Sequence, residues 1–556
     1  MGGFKENHLA LCLKRVGIDL ISIKKYISKN LFFFISVLLI SAFAITPLFS
    51  ILNSLTETLI NDNSFDISVL LNFTKNSLII LILVIFLTFF LGVIPSYLIS
   101  FYKFYGSNFF KYSLILSLAI PPYIYGYSIS SFFENYGTAY SIINLINPFS
   151  GNEYIPKFSP MTFTVVSLSL SLYGYVYLLS MTAFNNKIHN YIEISQTLGF
   201  NPFARLTKII LPLSRPAIFI GLSLVAMETL SDFGTVSHFG VSTFTTGIYN
   251  SWFIFDDIQT SNFLSIILLI FILLFFLIEN TFQKRKRFHD INNSQIKNNN
   301  ISTLSGWKSL FAFTFCLTLF LASFAFPIMQ MLFWSLKHFH YFNLKEIMIL
   351  NYNTFLLILV TSLILISFAF FCNFGNRMLK NKFLNFISNL SISGYAIPGL
   401  LIAIAVITFF SSLSNLLNIN IKNLFIGSII GLIVGYFFRF YSIAFNGIKS
   451  NYLKINYQVD ESGYLLGLNK FDIFSKIHLP ILKENTFFIV ILISLEIIKE
   501  LPITLILRPF NFETFSTKAF NYASQDLIEA ASIPSLFLVM WTSFLILISS
   551  KYFLKK

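Results

Sequence analysis

From Pro216 to Gln283 the chain carries no lysine or arginine, and Lys284-Arg285-Lys286-Arg287 follows at once. Cationic segments are held on the cytoplasmic side of a bilayer, so a long cation-free run closed by a basic cluster is expected of helices that cross a membrane. Runs of about 20 apolar residues, enough to span a hydrocarbon layer of roughly 30 Å as helix, are centred near Val37, Val84, Ser117, Leu170, Leu222 and Ile270. Six more are centred near Phe320, Ser362, Ala396, Leu432, Ile491 and Val539. The 556 residues are 55% hydrophobic and 11% charged with a mean hydropathy of +0.74, which excludes an ordinary soluble globule. The expectation is an all-α polytopic membrane protein of about twelve transmembrane helices.

With the N-terminus inside, only eight of the 38 Lys and Arg fall in outer segments, so both termini and the middle of the chain are expected in the cytoplasm. The net charge of +14 lies beside helix ends, where anionic headgroups account for it without nucleic acid. Cys12, Cys316 and Cys372 lack metal-ligand spacing and imply no disulfide framework. Ala42-Phe43-Ala44 is similar to a signal-peptidase site, but the apolar run from Leu31 to Leu52 continues past it to a spanning length, which favours an uncleaved first helix.

Residues 284–305 have the Lys, Arg, Asn and Ser composition of a linker. The chain therefore divides into an N-terminal segment 1–30, a six-helix repeat 31–283, the linker, and a second six-helix repeat 306–556. Ala-Ile-Pro recurs in the expected third span of each half, at Ala119-Ile120-Pro121 and Ala396-Ile397-Pro398, 277 residues apart. An even number of spans per half makes the repeat parallel, related by an axis along the membrane normal.

The pattern Glu-x5-Gly-x9-Ile-x-Leu-Pro occurs twice at one offset of 268. It runs from Glu193 through Gly199 and Ile209 to Leu211-Pro212, and from Glu461 through Gly467 and Ile477 to Leu479-Pro480. Each copy lies in a basic loop between apolar runs. Glycine accepts positive φ without steric cost, so Gly199 and Gly467 are placed to end one short helix and turn the chain into another. Beyond the glycine, Phe203, Leu206, Ile209 and Ile210 form an apolar stripe in one copy and Leu468, Phe471, Phe474 and Ile477 in the other. Pro212 and Pro480 fit the first turn of the next span, where a missing N–H costs little. An amphipathic loop lying on headgroups is the simpler reading of one copy; two copies at equal offset favour a docking element.

These loops resemble the EAA motif of permease subunits of ATP-binding-cassette importers, and nearly the whole chain resembles the fused twelve-helix permeases of ferric-iron uptake. Met227-Glu228-Thr229-Leu230-Ser231-Asp232-Phe233-Gly234-Thr235 and the stretch from Phe239 to Tyr249 resemble the first half of that family. Lys499-Glu500-Leu501-Pro502-Ile503-Thr504 and Leu507-Arg508-Pro509-Phe510-Asn511 resemble the second. The resemblance implies a type I importer fold, a coupling helix in each loop that inserts into a partner ATPase dimer, and a periplasmic ferric-iron-binding protein as donor. It implies that ATP and Mg are bound by the ATPase and none by this chain. The alanines of the motif are replaced: Ile194, Ser195, Ser462 and Gly463 stand there.

Glu228 and Asp232 share a helix face, and Glu496 and Glu500 repeat them at offset 268. Ionised groups at depth usually face a polar cavity, and an oxygen-rich vestibule suits a hard cation such as Fe(III). Local pairing with Lys499 is the competing reading. Thr243-Phe244-Thr245-Thr246 and Thr514-Phe515-Ser516-Thr517 are read as helix caps before they are read as a docking surface. His238, His338 and His340 have no ligand spacing and read as loop residues. There is no phosphate-cradling Gly-Lys-Ser/Thr loop and no nucleophile–base pair, so the chain is read as a transport subunit and not an enzyme. Thiamine and polyamine permeases share the loop element, and an ion-coupled secondary transporter shares the twelve-helix plan without needing the loops.

Overall fold

Helix follows helix along the chain because its apolar runs have no hydrogen-bonding solvent at depth and must satisfy their backbone internally. The computed structural model describes residues 31–46, 67–135, 137–146, 155–185, 199–284, 302–391, 394, 397–418 and 425–553. Glu193, Ile194, Ser195, Ala396, Cys12 and most of the 284–305 linker lie outside these residues. Among the described residues eight helices are long and apolar enough to cross a membrane. They are Ile67–Phe101, Pro160–Ala183, Leu206–Ser231, Trp307–Lys337, Leu344–Leu379, Gly399–Leu417, Ile429–Tyr452 and Ile528–Ser550. Leu31–Thr46 and Ile258–Leu274 are shorter apolar helices. Leu479–Lys499 occupies the eleventh expected position, with Lys483, Glu484, Glu496 and Lys499 near its ends.

The third expected span is not one helix. Ser107–Ser113 passes through a tighter 3-10 stretch, Leu114–Ala119, and the chain then opens at Ile120 (φ −99°, ψ 111°) and Pro121 (φ −57°, ψ 145°) before Pro122–Phe133 begins. Pro398 has the same extended geometry (φ −54°, ψ 144°) and precedes Gly399–Leu417. The Ala-Ile-Pro tripeptide therefore marks a break rather than a span interior, since a residue before proline is driven out of the helical region.

The chain forms two compact units that are cut differently from the sequence repeats 31–283 and 306–556. One contains Met1–Ser54 and Tyr352–Phe512; the other contains Leu55–Asn351 and Glu513–Lys556. In the first, Leu31–Thr46 packs on second-half helices: Phe33 stacks on Phe371 at 5.6 Å, Phe43 meets Phe438 at 5.0 Å, and the Ser41 and Ser388 hydroxyls are 3.2 Å apart. In the second, Trp307–Lys337 and Ile528–Phe553 pack on first-half helices. Tyr125 donates to the Ala322 carbonyl at 2.9 Å, and Thr542 donates to that of Ala119 at 2.7 Å. Around Val176 three helices approach closely enough that a Cβ at Gly92 would lie 2.7 Å from its Cβ, and one at Gly221 would lie 2.9 Å from its Cα. Small residues at such crossings replace the hydrophobic drive that lipid removes.

Candidate functional site

The second loop element is fully described. Asn456 caps the Tyr457–Leu465 helix by accepting the Gln458 N–H at 3.2 Å. The helix ends in a Schellman turn, Leu468 N–H to the Gly463 carbonyl at 3.1 Å and Gly467 N–H to that of Tyr464 at 3.0 Å. Gly467 takes φ +78° and Gly199 takes φ +74°; a Cβ would meet nothing within 4 Å at either, so the requirement for glycine is conformational. Two residues on, Asn469 accepts the Asp472 N–H at 2.9 Å, and Asn201 accepts that of Ala204 at 2.7 Å. The sequence signal of this cap is the Gly-x-Asn that stands at equal positions in both copies, offset 268, and goes beyond the Glu, Gly and Leu-Pro positions of the repeat.

Each helix then passes through a wide π-turn, Leu206–Ile210 and Ile473–His478, before Leu-Pro. Pro212 and Pro480 sit at the second position of Leu211–Ser231 and Leu479–Lys499. The helical run does not restart there; the π-turn absorbs the carbonyl that proline's missing N–H leaves. The same turn alters the expected stripe. Phe471 is 75% exposed, whereas Ile473 and His478, five residues apart as a π-turn requires, are fully buried. Phe474 and Ile477 are half-buried, and in the first copy Ile210 is buried while Leu206 and Ile209 are half-buried. Leu465 and Leu466, at the tip before the glycine, are 89% and 80% exposed. Glu461 faces solvent, with Asn456 taking the capping role.

Beneath the tip lies a buried ionic cluster. The Asp460 carboxylate accepts from Arg377 Nε at 2.7 Å and lies 2.7 Å from His478 Nε2. Arg377 also donates to the carbonyls of Tyr452, Ile455 and Asn456 at 3.0–3.1 Å. Burial holds the His478 imidazole below its usual value, opposed by its hydrogen bond to Asp460.

At the other end of the spans, Asp232 accepts from the Thr235 and Val236 N–H groups at 3.1 Å each and from the Thr235 hydroxyl at 2.9 Å. It thereby caps the short Gly234–His238 helix. Glu500 caps Pro502–Leu507 through the Ile503 N–H at 3.2 Å and pairs with Arg439 Nε at 3.2 Å. Glu496 pairs with Lys499 at 3.7 Å, and Glu228 is half-buried one turn before Asp232. Thr243 and Thr514 each form a capping box, with Thr246 and Thr517. His238 bonds Ser130 at 2.8 Å, while the His338 and His340 rings lie 5.7 Å apart in an aromatic loop. Among the described residues no three His, Cys, Asp or Glu side chains come together as a metal site.

Residues 89–288, from within Ile67–Phe101 through the first elbow to the basic cluster, match the family of binding-protein-dependent transport system inner membrane components. The chain carries a permease domain similar to that family. Over 486 residues the permease is 24% identical to the Fe(3+)-transport system permease protein FbpB 2 of Haemophilus influenzae, covering 86% of its own length and 90% of the relative's. That reach extends far beyond one repeat, in keeping with two permease halves in one polypeptide. It is a multi-pass inner-membrane protein and the transport subunit of an importer.

Proposed function

We propose that this permease translocates ferric iron handed to it by a periplasmic binding protein, driven by a separate ATPase dimer that docks on the two elbows. The observation that carries the docking is the elbow repeated at offset 268, which in its second copy holds Leu465, Leu466 and Phe471 outward around a glycine in the left-handed region. Solvent-exposed leucines at a helix tip favour burial in a partner's cleft. The iron assignment rests on the resemblance of the outer stretches and on a relative named for Fe(3+) transport. In this reading the elbows and both termini face the cytoplasm, Gly199 and Gly467 set the bend, and Glu193 and Glu461 pair with basic residues of the ATPase. Leu211-Pro212 and Leu479-Pro480 carry its motion into the spans as a rigid-body rocking. ATP and Mg belong to the ATPase. Glu228 and Glu496, at equal positions one turn before Asp232 and Glu500, are the pair whose joint replacement by Gln tests a role in cation passage at an outer vestibule.

Docking is tested by co-purification. Leu465→Ala with Leu466→Ala and Phe471→Ala should reduce the ATPase recovered with the permease by about tenfold or more, as expected of a hydrophobic hot spot. Full recovery would refute this docking surface. Iron is tested by uptake with each candidate cargo in turn: thiamine or polyamine uptake without ferric-iron uptake would move the permease to those importers.

A further inference from the structure

Arg377, Asp460 and His478 are each less than a tenth exposed, and they tie four elements together at the second elbow. Arg377 lies in the last turns of Leu344–Leu379. The carbonyls it grips end Ile429–Tyr452 and lead into the elbow, Asp460 stands on the elbow helix, and His478 closes the π-turn that opens Leu479–Lys499. The Arg377 guanidinium lies 4.5 Å over the Tyr457 ring, and the His478 ring is enclosed by Phe374 at 5.6 Å and Tyr452 at 5.3 Å. A planar fork with donors in fixed directions constrains orientation, which a greasy contact of equal area does not. Buried ion pairs seldom add stability over apolar replacements, so geometric definition is what such a cluster supplies.

The first elbow has no counterpart in sequence. At offset 268, Ile192 stands for Asp460 and Ile210 for His478; at the Ala-Ile-Pro offset of 277, Ser100 stands for Arg377. Ile210 is 2% exposed within an apolar cluster that includes Phe101, Phe184 and Ile218. Ile192 lies outside the described residues.

We propose that Arg377, Asp460 and His478 are positioning residues that lock the second elbow to three spanning helices, so that the two elbows are fastened unequally and the second transmits ATPase motion as a rigid lever. The proposal rests on the docking reading above for its use, but the lock itself can be measured without the ATPase. Spin labels at Leu359→Cys and Leu465→Cys, with the three native cysteines replaced by alanine, report the elbow against the helix that carries Arg377. In the purified full-length permease the distance distribution should be narrow, and it should broaden about twofold or more with Asp460→Asn or with the gentler Arg377→Lys, as expected when a two-ended constraint is cut. In vesicles holding the complete transporter, Asp460→Asn and Arg377→Lys in the permease that keeps Leu359, Leu465 and its native cysteines should retain ATPase binding while the ATP hydrolysed per ion delivered rises by about threefold or more.

Unchanged distance widths in both variants would overturn the lock. Broadened widths with an unchanged ratio of ATP to cargo would overturn the lever. If Asp460→Asn does not fold, Arg377→Lys carries the comparison, since it keeps the charge and removes only the fork. Failure of the docking reading is distinguishable, because the permease with Leu465 intact would then recover no ATPase while the distance distribution of the labelled form stayed narrow.

Discussion

Asp232 and Glu500 stand 268 residues apart and hold the chain in the same way. Each follows a spanning helix and accepts the backbone N–H of the residue three further on, Thr235 at 3.1 Å and Ile503 at 3.2 Å. A carboxylate at that point satisfies donors that a helix start leaves unpaired and suits its positive end. They differ in surroundings: Asp232 is held by a hydroxyl, and Glu500 by Arg439 in a pair 9% and 5% exposed. A Cβ at Gly399 would lie 2.5 Å from the Glu500 carboxylate and 2.6 Å from Arg439, so a side chain at the opening of the Gly399–Leu417 helix would displace this ion pair.

The two carboxylates should therefore differ in cost. Asp232→Ala loses a cap and should destabilise by about 1 kcal/mol. Glu500→Ala removes the carboxylate from a buried guanidinium and should cost about 3–5 kcal/mol. Thermal unfolding of the purified variants checks the order; equal shifts would contradict it.

Gly467→Ala places a side chain at φ +78° with open space around it, so the cost is conformational, about 1–2 kcal/mol. Gly467→Asn should recover part of it, since asparagine tolerates that region. Thermal midpoints that fail to separate Ala from Asn would show that the bend tolerates other conformations.

The pH dependence of the second elbow has a defined sign. His478 is held below its ordinary 6.5 by burial, with Asp460, Arg377 and Tyr452 as its ionisable neighbours. The unfolded chain binds the proton first, so stability is intact above 6.5 and is lost as pH falls from 6.5 toward the folded value. Between about pH 7 and about pH 5.5 the thermal midpoint should drop more for the unaltered permease than for His478→Gln. Parallel profiles would remove His478 from the account.

Thr243→Ala and Thr514→Ala each dismantle a capping box and should cost about 1 kcal/mol apiece. Hydrogen exchange at Phe244–Tyr249 and Phe515–Ser524 reads this locally. Unchanged protection would assign those hydroxyls to something other than capping.

What sequence made legible was whatever repeats or follows from one residue's chemistry. Gly199 and Gly467 declare their turn because only glycine enters that region cheaply, and the Thr-Phe-Thr/Ser-Thr pairs declare caps through hydroxyls three apart. The break at Ile120-Pro121 reads as span interior because its composition is apolar on both sides, which hides a helix end. A 3.6-residue period groups Phe471 with Phe474 and Ile477 in one apolar stripe, whereas the π-turn brings Ile473 and His478 inward and leaves Phe471 outside. The Arg377–Asp460–His478 cluster was invisible: its members lie 83 and 18 residues apart and meet only once three helices are packed.

Uptake into vesicles tests the central claim most directly. The permease should be reconstituted with its ATPase inside and its binding protein outside, and entry of radiolabelled ferric iron followed with and without ATP. Accumulation that needs ATP and the ATPase, and that disappears when Gly199→Pro and Gly467→Pro are combined, is the predicted result. Iron entry at the same rate with no ATPase present, or with both elbows altered, would contradict it.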